Sequence, residues 1–394
     1  MIHFIQHGLR DRHSHFYGET LGFIQAARDL KRELKVWVHA KCDPGLVEIC
    51  QAEAVFPLQT DVLLDPDPVT RELSTYILGA TTFAGVLSQH LSPLIKADDW
   101  VFVAYAAQNE AYGLALWMQT LPPQKRPRVA IFCHRPELSW SVDAQRDKVV
   151  ANGAFWRFAA LTFDKIGAKD RVQVFAPDTR LADILGRASG LNVKATGIST
   201  PYFFSPEQAL AVPKRFDIGL IGEFRAERGS SIIPDLMVAL DRQRPGLRYA
   251  LQLRLPSERE LVQQQLTDKG FAGDLHFLTG TMLEPVDFAR KIAQMRLMVL
   301  PYYPERYRIR SSGVLSECIA YGTPCVVPAQ TWLGDHVQSG AGAGVVFAEW
   351  TAQDIGAATL QALDQLDALT LAAQEKMLPW RQHNCARAML ERLV

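Results

Sequence analysis

Two short stretches combine the residue types that bind anions. In the first, Arg306, Arg308 and Arg310 precede Ser311, Ser312 and Gly313, and Glu317 follows. A helix that starts at this serine-serine-glycine run presents unpaired backbone N–H groups and the positive end of its dipole, which suits a phosphate. Gly313 lets a phosphate approach the backbone, and one of the three arginines could add charge. Glu317 lies little more than one turn into that helix, where its carboxylate could accept hydrogen bonds from hydroxyls on whatever carries the phosphate. A phosphate at the helix start and a ribose at the carboxylate describe a nucleotide. The second stretch is "GEFRAERG", residues 222–229, with Arg225 and Arg228 between Gly222 and Gly229. Two guanidiniums at a strand end would clamp a diphosphate and stabilise its departure.

Each stretch also has a plain reading. Serine is a preferred helix N-cap whatever the function, and Glu317 could be a solvated surface group. Arg225 and Arg228 could pair with Glu223 and Glu227 in an exposed turn.

The elements that must hold these residues come in two series. "MIHFI", "KVWVHA", "DDWVFVAY", "RPRVAIFCH" and "RVQVFAP" are apolar runs of strand length. Helical patterns such as "ETLGFIQAARDLKREL" and "GAFWRFAALTFDKI" alternate with them. A second series runs from "FDIGLIG" through "RYALQLRL", "LHFLTG" and "RLMVLPYY" to "CVVP", with helices at "IIPDLMVALDRQ", "VDFARKIAQM" and "VLSECIAY". Strands apolar throughout, and alternating with helices, predict parallel sheets covered on both faces. Between the series lies the proline-containing 201–215, which is expected to be a linker. The fold class is therefore α/β: two Rossmann-like units, 1–200 and 216–378, with a cleft between them. In such sheets ligands sit beyond the carboxyl ends of the strands, where both arginine loops fall.

Composition bounds the partners. With 42 basic and 42 acidic side chains, and the balance kept on both sides of Thr200, no polyanion such as nucleic acid is expected. No apolar run reaches the roughly 18 residues a membrane span needs, and the first residues lack a signal-peptide core, so the cytoplasm is the expected address. Cys42, Cys50, Cys133, Cys318, Cys325 and Cys385 show no paired spacing and are expected to be buried thiols. "DPDP" at 65–68 has the spacing of a metal-binding aspartate pair, but the interleaved prolines make it a turn. "GAGAG" at 340–344 is expected to be a loop into the strand "VVF".

These residues carry a resemblance. Gly222, Arg228 and Gly229 resemble the first signature of retaining GT-B glycosyltransferases, the group of sucrose, trehalose and bacterial polysaccharide synthases, with arginine for the commoner lysine. Glu317 followed by "AYGTPCVV" resembles the second signature, a glutamate before an Ala-x-Gly-x-Pro-apolar run. The likeness covers 216–394 and extends more weakly to the first half. Two departures stand out. Ile309 occupies the place of a glutamate that usually contacts the donor sugar, with Glu305 nearby as a substitute. Glu223 replaces an arginine, whose phosphates Arg225 could reach.

The resemblance implies a donor site for a nucleotide sugar made of Gly222, Arg225, Arg228, Ser311, Ser312, Gly313 and Glu317, with base contacts from the backbone near 279–283. It implies an acceptor unit in 1–200. There His134, at a strand's carboxyl end, resembles the histidine that related enzymes set against the transferred sugar. The loop "QHGLRDRHSHFYGET", residues 6–20, would meet the acceptor through His13, His15 and Gly18. Its histidines also invite a metal, but no carboxylate pattern accompanies them. The expected reaction is transfer to a hydroxyl of a saccharide or lipid-linked acceptor with retention of configuration, catalysed by His134, Arg225 and Arg228. No metal or other cofactor is expected, because protein cations stabilise the leaving diphosphate. Residues 379–394 are expected to be a terminal helix that returns to the first unit, and its Arg381, Arg387 and Arg392 leave open a peripheral contact at the inner membrane face. A nucleotide-sugar 2-epimerase, with "HRPE" at 134–137 as its acid-base run, and a non-catalytic binding scaffold remain as alternatives.

Overall fold

The computed structural model describes residues 1–58, 71–134, 153–253, 255–278 and 283–393. The chain divides into two compact units, one of residues Met1–Pro201 with Asn384–Val394 and the other of Tyr202–His383.

The first unit is a seven-stranded sheet. In chain order its strands are β1 Ile2–Gln6, β2 Leu34–His39, β3 Ala52–Phe56, β4 Trp100–Val103, β5 Arg128–Phe132, β6 Val172–Ala176 and β7 Val193–Ala195. They lie in the order β3-β2-β1-β4-β5-β6-β7, every neighbouring pair parallel. The strand sequences are apolar without alternation because helices cover both faces. Ile5, Val101, Val103, Val129, Ile131 and Val174 pack against Leu114, Trp117, Trp156 and Phe163 of the helices Gln108–Thr120 and Ala154–Lys165.

The second unit repeats the plan with six parallel strands: β8 Phe216–Leu220, β9 Arg248–Gln252, β10 Asp274–Leu278, β11 Met295–Val299, β12 Cys325–Pro328 and β13 Gly344–Phe347. Their order is β10-β9-β8-β11-β12-β13. Ile218, Leu220, Tyr249, Leu251, Leu297, Val299 and Val326 form the core with Leu236, Met237 and Leu240 of the helix Ile233–Gln243. In each sheet the chain starts inside and reverses its direction of progress, between β1 and β4 and again between β8 and β11. These are the points where the loops beyond the strands part and leave a crevice.

Several elements carry little signal in the sequence. The helix Pro256–Asp268 buries only Val262 and Leu266 in thirteen residues, so its apolar period is faint. The parallel pairing of β9 with β10 nevertheless demands such a crossover. The same holds for the short helix Pro44–Cys50 before β3, whose Asp43 accepts a capping bond from the Leu46 N–H. The expected linker contains a helix of its own, Pro206–Leu210, capped by Ser205.

The terminal segment is not one helix. The helix Leu366–His383 runs through Pro379 and stops; Asn384 breaks it, and a separate helix, Ala386–Glu391, follows. Asn384 accepts through Oδ1 from the Ile198 N–H at 2.9 Å and through its carbonyl from the Thr200 N–H at 3.1 Å. Ala386 packs beside Gly22 of the helix His15–Asp29. Of the three arginines that left a membrane contact open, Arg381 is only 8% exposed, while Arg387 lies at the surface in a pair with Glu391 at 3.0 Å. Among the described residues no helix is long and apolar enough to cross a membrane. All six cysteines are free thiols, five of them buried.

Candidate active site

The crevice of the second unit is built from the loops after β8 and β11. Beyond Leu220 the backbone turns at Gly222, where φ is 136°, a region that side chains rarely adopt. Its N–H donates to Gln252 Oε1 at 2.8 Å. A Cβ there would stand 3.1 Å from Arg228 Nη1, 3.4 Å from the Tyr302 hydroxyl and 3.8 Å from Val314. The two stretches singled out in the sequence therefore meet at this glycine. The turn Ala226–Arg228 ends at Gly229, with φ 88°; a Cβ on Gly229 would be 2.5 Å from the Pro301 carbonyl oxygen. Both glycines of the first signature are thus required by backbone geometry, and together they aim Arg228.

Arg228 donates through Nε to the Tyr307 hydroxyl at 3.3 Å, and its guanidinium carbon lies 5.7 Å from the Tyr302 ring centre. Among the described residues it forms no ion pair. Burial opposes its charge, but the phenolic oxygens of Tyr302 and Tyr307 leave its pKa above the ordinary arginine value, so the guanidinium keeps its proton. Arg225 behaves differently. It is 44% exposed and held between Glu223 and Glu227, which neutralise it. Arg225 thus makes the ion pairs of the plain reading, while Arg228 makes none among the described residues.

Beyond β11, Pro304–Tyr307 forms one helical turn, Ile309 is buried at 3% exposure, and Ser312 caps the helix Gly313–Ala320. Ser312 Oγ accepts from the Leu315 N–H at 3.2 Å, so its side chain serves the cap. The N–H groups of Gly313 and Val314 donate to nothing among the described residues, and a Cβ on Gly313 would meet open space. Ser311 is half-buried beside them and Glu305 is exposed. One turn on, Glu317 is half-buried; its Oε2 is sealed from solvent without a hydrogen-bond partner, and burial pushes the carboxyl up to about 8. The Tyr302 hydroxyl is likewise buried, near the Ser312 side chain. A pocket of about 290 Å³, its open mouth included, is lined by Gly222, Glu223, Phe224, Arg228, Gln252 and Tyr302.

In the first unit His134 follows β5. Its Nε2 lies 3.7 Å from Glu19 Oε1, and its ring stacks on Tyr105 with centres 5.0 Å apart. Glu19 is buried and also accepts from Gln6 Nε2 at 2.9 Å and from Ser199 Oγ. His13 and His15 are exposed, His15 against Phe16. Gly18 is not in a loop: the helix begins at His15, and Gly18 is buried in its first turn. Of "HRPE" only His134 is described, "DPDP" lies outside the described residues, and so do 279–282 of the expected base contacts. Among the described residues no group of three or more His, Cys, Asp or Glu could hold a metal ion.

Tyr302, Tyr307 and Glu19 are absent from the sequence reading. A signal exists for each: "YYPERY" is an aromatic run at a strand's carboxyl end, and Glu19 is a lone carboxylate on an otherwise small and apolar helix face.

No family model matches the chain, and no curated protein is similar to it in sequence. Its backbone is similar to solved GT-B structures along its whole length. HepE of Anabaena in complex with UDP and glucose covers 100% of this chain and 97% of its own at a TM-score of 0.59 and 15% identity. Sucrose-phosphate synthase of Thermosynechococcus elongatus covers 99% and 96% at 0.58 and 15%. WaaG, a glycosyltransferase involved in lipopolysaccharide biosynthesis, covers 100% and 98% at 0.59 and 12%. At these identities the likeness shows the fold: the chain has the GT-B architecture of two Rossmann-like domains.

Proposed function

We propose that the chain is a glycosyltransferase that moves a sugar from a nucleoside-diphosphate sugar to a hydroxyl acceptor with retention of configuration. The observation that carries this is Arg228, a charged guanidinium with no carboxylate partner among the described residues, at the strand-order reversal of the second sheet. Fold likeness to proteins solved with UDP and glucose supports the substrate class.

In this reading Arg228 and the N–H groups of Gly313 and Val314 take the diphosphate, Gly222 lets it approach, and Glu317 takes the ribose hydroxyls. The bond from the anomeric carbon to the diphosphate breaks as the acceptor oxygen bonds on the same face, and the acceptor proton passes to the departing phosphate oxygen. Charge grows on the diphosphate during this step, so a fixed guanidinium lowers the barrier without rearranging. His134, with Glu19 behind it, would bind a hydroxyl of the transferred sugar. The acceptor, a saccharide or lipid-linked saccharide, would meet His13 and His15. Protein cations supply the charge stabilisation, so the reaction is proposed to need no metal.

The test is turnover. The purified chain is incubated with UDP-, GDP- and ADP-sugars and a panel of saccharide acceptors, nucleoside diphosphate release is measured, and the product's anomeric proton is assigned by NMR. An acceptor-dependent release with retention supports the proposal. A nucleotide that binds but never turns over would favour a scaffold, and isomerisation without acceptor would favour an epimerase.

A further inference from the structure

We propose that Arg310, and not Arg225, completes the anion site with Arg228, and that these two guanidiniums bind a diphosphate. The nucleoside attached to it rests on the reading above; the two-cation site rests on side-chain geometry alone.

The two loops carry five arginines. Arg225 is neutralised by Glu223 and Glu227, Arg306 is exposed, and Arg308 makes interactions of its own. Arg228 and Arg310 share a different environment. Arg228 donates to the Tyr307 hydroxyl at 3.3 Å, while the Arg310 guanidinium carbon lies 5.6 Å from the centre of the same tyrosine ring. The Tyr302 and Tyr307 ring centres are 4.5 Å apart, so Arg228 over Tyr302 and Arg310 over Tyr307 are gathered on one aromatic platform. Neither arginine forms an ion pair among the described residues.

Aromatic faces hold guanidinium planes but do not cancel their charge, and their N–H edges stay available. Arg228 spends one of its five donors on Tyr307, and Arg310 makes no hydrogen bond among the described residues. An anion placed over this platform would meet positive charge from both sides. A diphosphate, with two phosphoryl groups to receive two planar forks, matches both the charge and the donor geometry. Buried Ile309 anchors the backbone next to Arg310, and the helix start at Gly313 follows three residues later.

The test measures binding to the full purified chain by isothermal titration calorimetry. Inorganic pyrophosphate, UDP, GDP, ADP and the matching monophosphates are the probes. Arg310→Gln is expected to weaken pyrophosphate and the preferred diphosphate by about tenfold or more and the monophosphate less. Arg225→Gln should change them by less than about threefold, and Arg310→Lys should recover part of the loss. Unchanged pyrophosphate affinity in Arg310→Gln, or a larger loss in Arg225→Gln, overturns the inference while nucleotide binding by the parent chain stands. If pyrophosphate binds in an Arg310-dependent way and no nucleoside diphosphate binds better, the nucleotide reading fails and the two-arginine site holds. If the parent chain binds neither, both fail. Circular dichroism and melting temperature establish that each variant is folded.

Discussion

Arg228 reaches the Tyr307 hydroxyl through Nε across 3.3 Å, so a phenol, not a carboxylate, orients the charge of the second unit's crevice. A carboxylate partner would orient the guanidinium equally well but cancel the charge that the proposed diphosphate would meet. A phenol hydroxyl accepts the hydrogen bond without bringing a negative charge.

Replacing Arg228 by alanine is expected to lower nucleotide-sugar turnover by about 100-fold or more, the usual cost of removing a preorganised charge partner. The fold should survive, because among the described residues the guanidinium makes one hydrogen bond and no ion pair. Turnover assayed beside a thermal melt checks this; a folded variant with full activity would remove Arg228 from the mechanism.

Gly229→Ala should destabilise the second unit by about 1–3 kcal/mol, since a side chain at φ 88° is strained and its Cβ would press on the Pro301 carbonyl. Relief of that clash shifts the turn carrying Arg228, so nucleotide affinity should fall as well. Urea unfolding and nucleotide titration read the two effects separately, and a variant with parental values in both would contradict the close packing.

Glu317 sets a pH dependence. Its folded pKa of about 8 lies above the ordinary value of 4.5, so between these the unfolded chain has lost a proton that the folded chain retains. The contribution of this group is full below pH 4.5 and is lost as pH rises towards 8, by at most about 1.4 kcal/mol per pH unit. Glu317→Gln should therefore match the parent near pH 4.5 and melt higher than it near pH 8. A ribose that draws the ionised carboxylate into two hydrogen bonds would release up to about one proton on binding at pH 7. Calorimetry in buffers of different ionisation enthalpy measures that release.

His134→Ala should lower transfer by roughly 100-fold while leaving nucleoside diphosphate affinity within about twofold, because every residue proposed to hold the diphosphate belongs to the second unit. Loss of nucleotide affinity in this variant would argue against that division.

Arg381→Ala is expected to cost about 3 kcal/mol. The guanidinium donates to the Ala320 carbonyl at 2.7 Å and the Phe204 carbonyl at 2.6 Å, and lies 5.0 Å from the ring centres of both Tyr202 and Tyr321. It therefore closes the carboxyl end of the helix that begins at Gly313. Chemical denaturation measures the loss, and a neutral result would mean that solvent replaces these bonds without penalty.

Strands such as "WVFV" and "CVVP" are legible in the sequence because a strand buried on both faces is apolar at every position. Their spacing by helices then dictates parallel pairing. Gly222, Gly229 and Ser312 are legible for a similar reason: local backbone geometry admits few other residues there. The partners of a charge are another matter. "FRAER" offers Arg225 and Arg228 in equal terms, and only the folded turn hands both glutamates to the first. Tyr307 lies seventy-nine positions from Arg228, a separation at which sequence patterns carry no contact information. The late start assigned to the first helix, which leaves Gly18 outside, reflects a start without a capping side chain: Ser14 makes no capping bond.

Asn384–Val394 completes the first unit after the chain has passed through the whole of the second. During synthesis the unit that begins first is thus finished last, and until Asn384 arrives the N–H groups of Ile198 and Thr200 must find other acceptors. A fragment ending at Pro201 would leave the face of Gly22 bare. Dissecting this protein into independently expressed halves therefore calls for grafting the final eleven residues back onto the first.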